Sequence, residues 1–161
     1  MLIVGCGCRG RALTRELRAA GHAVRCTTRD PARLAEIEAA GAQAVVADPN
    51  RLGTLMVQLG GVSVVCWLMG SAGVAAEESA TAADLHGPRL RSFLERLVDT
   101  PVRGVVYEAA GSAPPGLLES GAAAVRAASA TWSIPAGIVE ADPGNHETWL
   151  SAMSDAVHRL L

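Results

Sequence analysis

The chain has 161 residues, half of them hydrophobic and only 3% aromatic, with a net charge of −2. That length is one domain's worth and long enough to bury a core without disulfides or metal, and the apolar fraction excludes intrinsic disorder. All 14 cations are Arg. With no Lys, a Schiff base, a P-loop Lys and a Lys general base are excluded, and the charge balance lacks the basic patch of a nucleic-acid binder.

Strand and helix patterns alternate from the first residue. Met1–Val4 is an apolar strand that stops at Gly5, and Arg9–Ala20 is helical, with Leu13, Leu17 and Ala20 on one face. Gly21 closes that helix and His22–Thr28 is a second strand. Asp30-Pro31 is the preferred pair at a helix start, cap then first turn, and the helix runs to Ala40 before Gly41. Ala42–Ala47 is a third strand, broken by Asp48-Pro49-Asn50; Leu52, Leu55, Met56 and Leu59 mark a third helix. Val62–Leu68 is a fourth strand without alternating polarity, as in a sheet covered on both faces. From Met69 to Gly87 the pattern loosens into a Gly- and Ala-rich loop with room for a short helix. Pro88–Val98 is a strong amphipathic helix, Val102–Glu108 a fifth strand, and an Ala-rich helix follows the Pro114-Pro115 loop to Thr131. Ile134–Val139 is a sixth strand, Asp142-Pro143-Gly144 a turn, and a helix capped by Asn145 or His146 ends the chain.

This alternation predicts an α/β fold: a doubly wound, six-stranded parallel sheet with order 3-2-1-4-5-6 and helices on both faces, residues 1–161 forming a single domain. A ligand in such a sheet lies in the crevice at the carboxyl ends of strands one and four. No stretch approaches the roughly 18 apolar residues of a membrane span. Met1–Val4 has no charged segment before it, so it is not a signal peptide, and a cytoplasmic protein with reduced thiols is expected. Of Cys6, Cys8, Cys26 and Cys66 only the first two are close, as C-x-C, so no metal site is expected and the four are taken as small buried residues.

Gly5-Cys6-Gly7-Cys8-Arg9-Gly10 is G-x-G-x-x-G between the first strand and the first helix, the context that gives the pattern meaning. Gly5 permits the tight turn, Gly7 lets a pyrophosphate approach the backbone, and Gly10 lets helix and strand pack closely. The amides of the first helical turn, Cys8 and Arg9 among them, then face the phosphates. The alternative is a glycine-rich turn with no ligand. An NAD-selective site carries an acid about 20 residues on, at the end of strand two; here the chain reads Thr27-Thr28-Arg29, and Asp30 is spent as a helix cap. Arg29 and Thr28 therefore suit a 2′-phosphate, with Arg9 as a second cation, so NADP is expected over NAD. Arg29 as a plain surface charge is the other reading.

Leu2–Gly7, Gly10–Leu13, Ala20–Val24 and Thr27–Arg29 together resemble the atypical short-chain dehydrogenase/reductases, which include small NmrA-like and epimerase-like NAD(P)-binding proteins. The resemblance is specific through Gly70. It implies that Asp48, with Pro49, contacts the adenine, and that Leu68, Met69 and Gly70 lie along the nicotinamide ribose. It further implies a Tyr-x-x-x-Lys pair on the helix after strand five. This chain has no Lys, and its only Tyr, Tyr107, lies in strand five. The family's C-terminal substrate domain is missing or reduced to the last helix.

Ser112 stands where family members carry a polar residue and is the one weak catalytic candidate, a loop serine being the alternative. Arg126, Glu140, His146 and the pair Glu77-Glu78 read as solvated charges or caps. Two functions remain open. One is an oxidoreductase passing hydride from NADPH to a small acceptor such as a flavin or quinone; the other is a non-catalytic NAD(P)-binding sensor or regulator with a protein partner. The Pro88–Val98 helix offers a possible homodimer face.

Overall fold

The computed structural model describes residues 1–71 and 79–161. Six parallel strands form one sheet in the order β3-β2-β1-β4-β5-β6. They are β1 Leu2–Val4, β2 Arg25–Thr28, β3 Gln43–Val46, β4 Val64–Trp67, β5 Gly104–Glu108 and β6 Ala136–Val139. The helices are α1 Cys8–Ala19, α2 Leu34–Glu38, α3 Leu52–Met56, α4 Ser79–His86, α5 Pro88–Leu97, α6 Pro115–Trp132 and α7 His146–His158. The expected sheet order is the observed one.

Two cores explain why the strands read as unbroken apolar runs. Successive side chains of a strand point to opposite faces. Leu2, Val4, Val65, Trp67, Val105 and Tyr107 pack with residues of α3, α5 and α6 in one cluster. Ile3, Cys26, Val64, Cys66 and Val106 pack with Leu13, Leu17, Ile37 and Trp149 in another, on the side of α1, α2 and α7. The central strands β1, β4 and β5, buried along their whole length, therefore need apolar residues on both faces.

Several boundaries differ from the sequence pattern. The second strand begins at Arg25, not His22: its pairing with β1 starts where Arg25 stands opposite Leu2, with Arg25 N donating to Met1 O at 2.8 Å. The helix expected from Pro31 is a 3-10 turn, Pro31–Arg33, that passes into the short α2. Asp30 caps it, accepting from Ala32 N at 2.9 Å. Asn145 caps α7, accepting from Thr148 N. The loosened stretch 69–87 contains a real helix, α4, which buries Ala82, Leu85 and His86. Trp67 Nε1 donates to Leu85 O at 3.2 Å and ties that helix to the sheet. Residues 72–78, with Glu77 and Glu78, lie outside the described residues. One cysteine also departs from expectation: Cys8 is exposed, since it opens α1 at the rim of the sheet, whereas Cys6, Cys26 and Cys66 are buried.

Candidate functional site

Parallel strands end together, so their carboxyl ends and the loops leaving them form one edge. A cleft of about 530 Å³ lies there. Its walls are Gly5–Gly10 after β1, Thr27, Thr28, Arg29, Asp30 and Arg33 after β2, Ala47 and Pro49 after β3, and Leu68, Met69, Ser71 and Leu85 after β4.

The glycine turn is shaped by three different demands. Gly5 sits at φ +92°, and a side chain there would collide with Leu68 O and the Met69 methyl. Glycine is needed at that position for the fold itself. A Cβ on Gly10 would meet Gly5 O at 3.1 Å and Cys6 Sγ at 3.3 Å, so a bare α carbon lets α1 sit close on the turn. Gly7 is different: its φ is −75° and a Cβ would meet nothing within 4 Å. Nothing inside the protein requires glycine there, and the space it leaves belongs to the cleft. As the N-cap of α1 it provides no side-chain acceptor, and among the described residues no hydrogen bond engages the amides of Cys8, Arg9 and Gly10, as at any uncapped helix start. An open cradle beneath a row of free N–H groups fits a pyrophosphate.

At the β2 end of the cleft Arg29 is exposed and Arg33 half-exposed. Arg33 was not singled out from the sequence, although the Asp30-Pro31 start places it one turn in, on the cleft side. Its guanidinium pairs with Glu36 at 3.7 Å, and Arg11 meets the same carboxylate at 3.0 Å. Thr28 is buried, and its hydroxyl bonds within its own turn, accepting from Asp30 N at 3.1 Å and lying 3.3 Å from Asp30 O.

At the β4 end the geometry departs further from expectation. Arg9, expected beside the 2′-phosphate, has its guanidinium engaged elsewhere. Nε donates to Glu108 Oε1 at 3.1 Å, one terminal nitrogen donates to Ser71 Oγ at 2.8 Å, and the group lies 5.7 Å from the centre of the Trp149 ring. The reason is electrostatic: Glu108 is fully buried at the end of β5, and a buried carboxylate demands a cation or hydrogen-bond donors. Arg9 is one, and Gly70 N, which donates to Oε2 at 2.9 Å, is the other. Burial pushes the Glu108 carboxyl above its ordinary pKa, and Arg9 and the Gly70 amide pull it partly back. Neither Gly70 nor Glu108 lines the cleft. Glu108 was missed in the sequence, where its signal was an acid closing an otherwise apolar strand.

Behind this end lies a second buried pair. His86 Nδ1 is 2.6 Å from the Tyr107 hydroxyl, and Nε2 is 3.1 Å from Met69 O. The Met69 carbonyl only accepts, so Nε2 carries the proton and Nδ1 accepts from Tyr107. Burial pushes the His86 pKa down and the Tyr107 pKa up, with Glu108 adding to the latter. Tyr107 does not line the cleft.

The remaining candidates lie apart. Asp48 is half-buried and accepts from Asn50 N at 2.9 Å, outside the cleft wall that Pro49 joins. Ser112 is exposed and outside the wall; Ala113 N donates to Gly70 O at 2.9 Å, and that bond anchors the loop by its neighbour. Arg126 pairs with Glu140 at 3.4 Å, both exposed, and His146 stacks on Trp149. Among the described residues no three or more His, Cys, Asp or Glu side chains converge as metal ligands, and no helix is long and apolar enough to cross a membrane.

A family described as NAD(P)H-binding matches residues 5–113, more than half of the chain. None of the curated proteins matches. Among solved structures the fold is similar to a short-chain dehydrogenase/reductase superfamily protein from Agrobacterium tumefaciens with bound NAD, at 21% identity and a TM-score of 0.70, covering 86% of this chain and 48% of that one. It is also similar to UDP-glucuronic acid 4-epimerase from Bacillus cereus in complex with NAD, at 17% identity and 0.67, covering 86% and 54%. A third is the Citrobacter sp. triphenylmethane reductase complexed with NADP(H), at 18% identity and 0.63, covering 86% and 48%. The chain thus spans about half the length of these proteins. With the glycine turn, the open cradle and the sheet order already in place, the chain belongs to the NAD(P)H-binding family and is an NAD(P)-binding protein of the Rossmann type.

Proposed function

We propose that the protein is an NADP(H)-dependent oxidoreductase that passes hydride from the nicotinamide to a small acceptor, such as a flavin or quinone, without a Tyr-Lys pair. The carrying observation is the cleft itself. Its centre is an open glycine cradle, and one end is rimmed by Arg29 and Arg33.

Bound NADPH supplies the hydride. The chain's part is to bind and orient. The α1 amides take the pyrophosphate, and Arg29 with Arg33 takes the 2′-phosphate by charge-assisted hydrogen bonds. Asp30 lies on the same wall, with Oδ1 accepting from Ala32 N as the cap of its helix turn, and the two guanidinium groups beside it set the balance toward a 2′-phosphate. Leu68, Met69 and Leu85 wall the β4 end with apolar surface, which keeps water from the ring. Tyr107 is held by His86 away from the cleft. The reaction is therefore assigned to acceptors that take hydride without a proton from a phenol.

The test is NADPH oxidation by the purified protein with flavins or quinones. Turnover supports the reading. Tight cofactor binding without turnover over a broad acceptor panel supports the other function, a non-catalytic binder acting through a partner.

A further inference from the structure

Arg9 occupies an unusual place for a cation. It sits in the glycine turn, yet its side chain is fixed from three sides by Glu108, Ser71 and the Trp149 ring. It is 25% exposed, and it lines the cleft; Glu108 is fully buried and does not. The ion pair is thus a fixed dipole with its positive end toward the cleft. Beside it on the wall are Leu68, Met69, Ser71 and Leu85. Among the described residues at that end, Arg9 is the one charge on the cleft surface.

A dinucleotide in this fold lies across the carboxyl ends of the strands, with the adenosine ribose at the end of the second strand and the pyrophosphate at the first helix. The other half then extends over the ends of β4 and β5, the end where Arg9 is held. The two redox states of the cofactor differ there and nowhere else in charge: the oxidised nicotinamide ring is a cation and the reduced ring is neutral, while the phosphates are the same in both.

We propose that Arg9 makes the cleft discriminate between the two redox states, binding the reduced, uncharged nicotinamide more tightly than the oxidised cation. This rests on the cofactor-binding reading above and adds a residue that sets its specificity. A fixed cation beside a cationic ring is repulsive, and the apolar wall leaves that repulsion less screened than in water. Glu108 offsets it in part from below. Burial raises the affinity of that carboxyl for a proton, which weakens the offset rather than strengthening it.

The experiment is equilibrium titration of wild type, Arg9→Met and Glu108→Gln with NADPH and with NADP⁺. Wild type is expected to bind the reduced form about tenfold more tightly, the size of a partly offset charge in a half-open cleft. Arg9→Met should bring the ratio toward one. Glu108→Gln should raise it, because the cation stays and its counter-charge goes. A wild-type ratio of one, or an unchanged ratio in Arg9→Met, overturns the inference. Should Arg9→Met fail to fold, a ratio that does not rise in Glu108→Gln overturns it equally. If neither nucleotide binds, the cofactor reading fails and takes this inference with it; equal binding of both forms removes the inference alone.

Discussion

The two ends of the cleft are built by opposite means. At the β2 end, Thr28, Arg29, Asp30 and Arg33 come from six consecutive positions shaped by a local turn, with Thr28 buried and the three charged residues toward the surface. At the β4 end, Arg9 meets a carboxylate 99 positions away, and Met69 meets a histidine 17 positions away. The first end is held by solvated charge and the second by buried, mutually dependent polar groups. A change at the first end should therefore alter binding and leave the fold alone. A change at the second should alter both.

The first half of that statement extends to Gly7, in the cradle between the two ends, and Gly7→Val should have the largest effect. The residue's φ of −75° suits any side chain and a Cβ meets no neighbour, so denaturation midpoints should stay within error. Dinucleotide affinity should fall more than a hundredfold, or about 3 kcal/mol, because the valine fills the cradle. Unchanged affinity would assign the turn to structure alone. Arg9→Ala tests the second half. Removing one partner of a buried pair is costly, and with Arg9 25% exposed and the Gly70 amide still in place the loss of stability should be about 2 kcal/mol at neutral pH. The sign with pH follows from burial. Glu108 ionises above its ordinary value in the fold, so the cost of its charge is absent in acid and grows as pH rises from about 4.5 through the raised pKa. Arg9→Ala raises that pKa further. Urea denaturation should show the variant approaching wild type in acid and diverging above; a constant gap would refute the pairing.

The same contrast sets what was legible in the sequence. The glycine motif, the Asp30-Pro31 start and the apolar strands are local patterns, and they fix the sheet order and the cleft. The Arg9–Glu108 pair is not local. Read beside its neighbours, Arg9 belongs with Arg29; only the fold brings Glu108 under it. His86 lay in a stretch whose alanines carry no strong periodicity, so neither α4 nor its bond to Tyr107 could be placed. Ser112 rests on the family resemblance at the end of strand five; in the fold it is exposed, in a loop whose next residue, Ala113, donates its N–H to Gly70 O.

Arg29→Ala sharpens the comparison from the exposed end. A charge-assisted hydrogen bond contributes about 1.5–3 kcal/mol, but Arg29 is exposed, so about tenfold weaker NADP binding is expected, with NAD binding and stability unchanged. Parallel titrations with both cofactors check it. A preference for NADP that survives the substitution would transfer the role to Arg33.

The smallest effect comes from the buried end, through His86. Its ring is fully buried, with both nitrogens spent on Met69 O and the Tyr107 hydroxyl. Charging it would force Nδ1 to donate to the phenol oxygen, turn the Tyr107 proton toward Leu118 O at 3.3 Å and place a cation among apolar side chains. Burial accordingly holds the pKa below that of a free histidine. Between about 6.5, the unfolded value, and the lower folded value, the unfolded chain binds more protons. Stability from this group is thus complete above about pH 6.5 and is lost as the pH falls through that window, with a slope no steeper than one proton allows, about 1.4 kcal/mol per pH unit. His86→Gln removes the titration while keeping a donor and an acceptor. Denaturation of both proteins from pH 8 down to about 5 should show the wild type losing stability relative to the variant below about 6.5. Parallel curves would mean that the imidazole accepts its proton without disturbing Tyr107, and the pH sensitivity of the buried end would then rest on the Arg9–Glu108 pair.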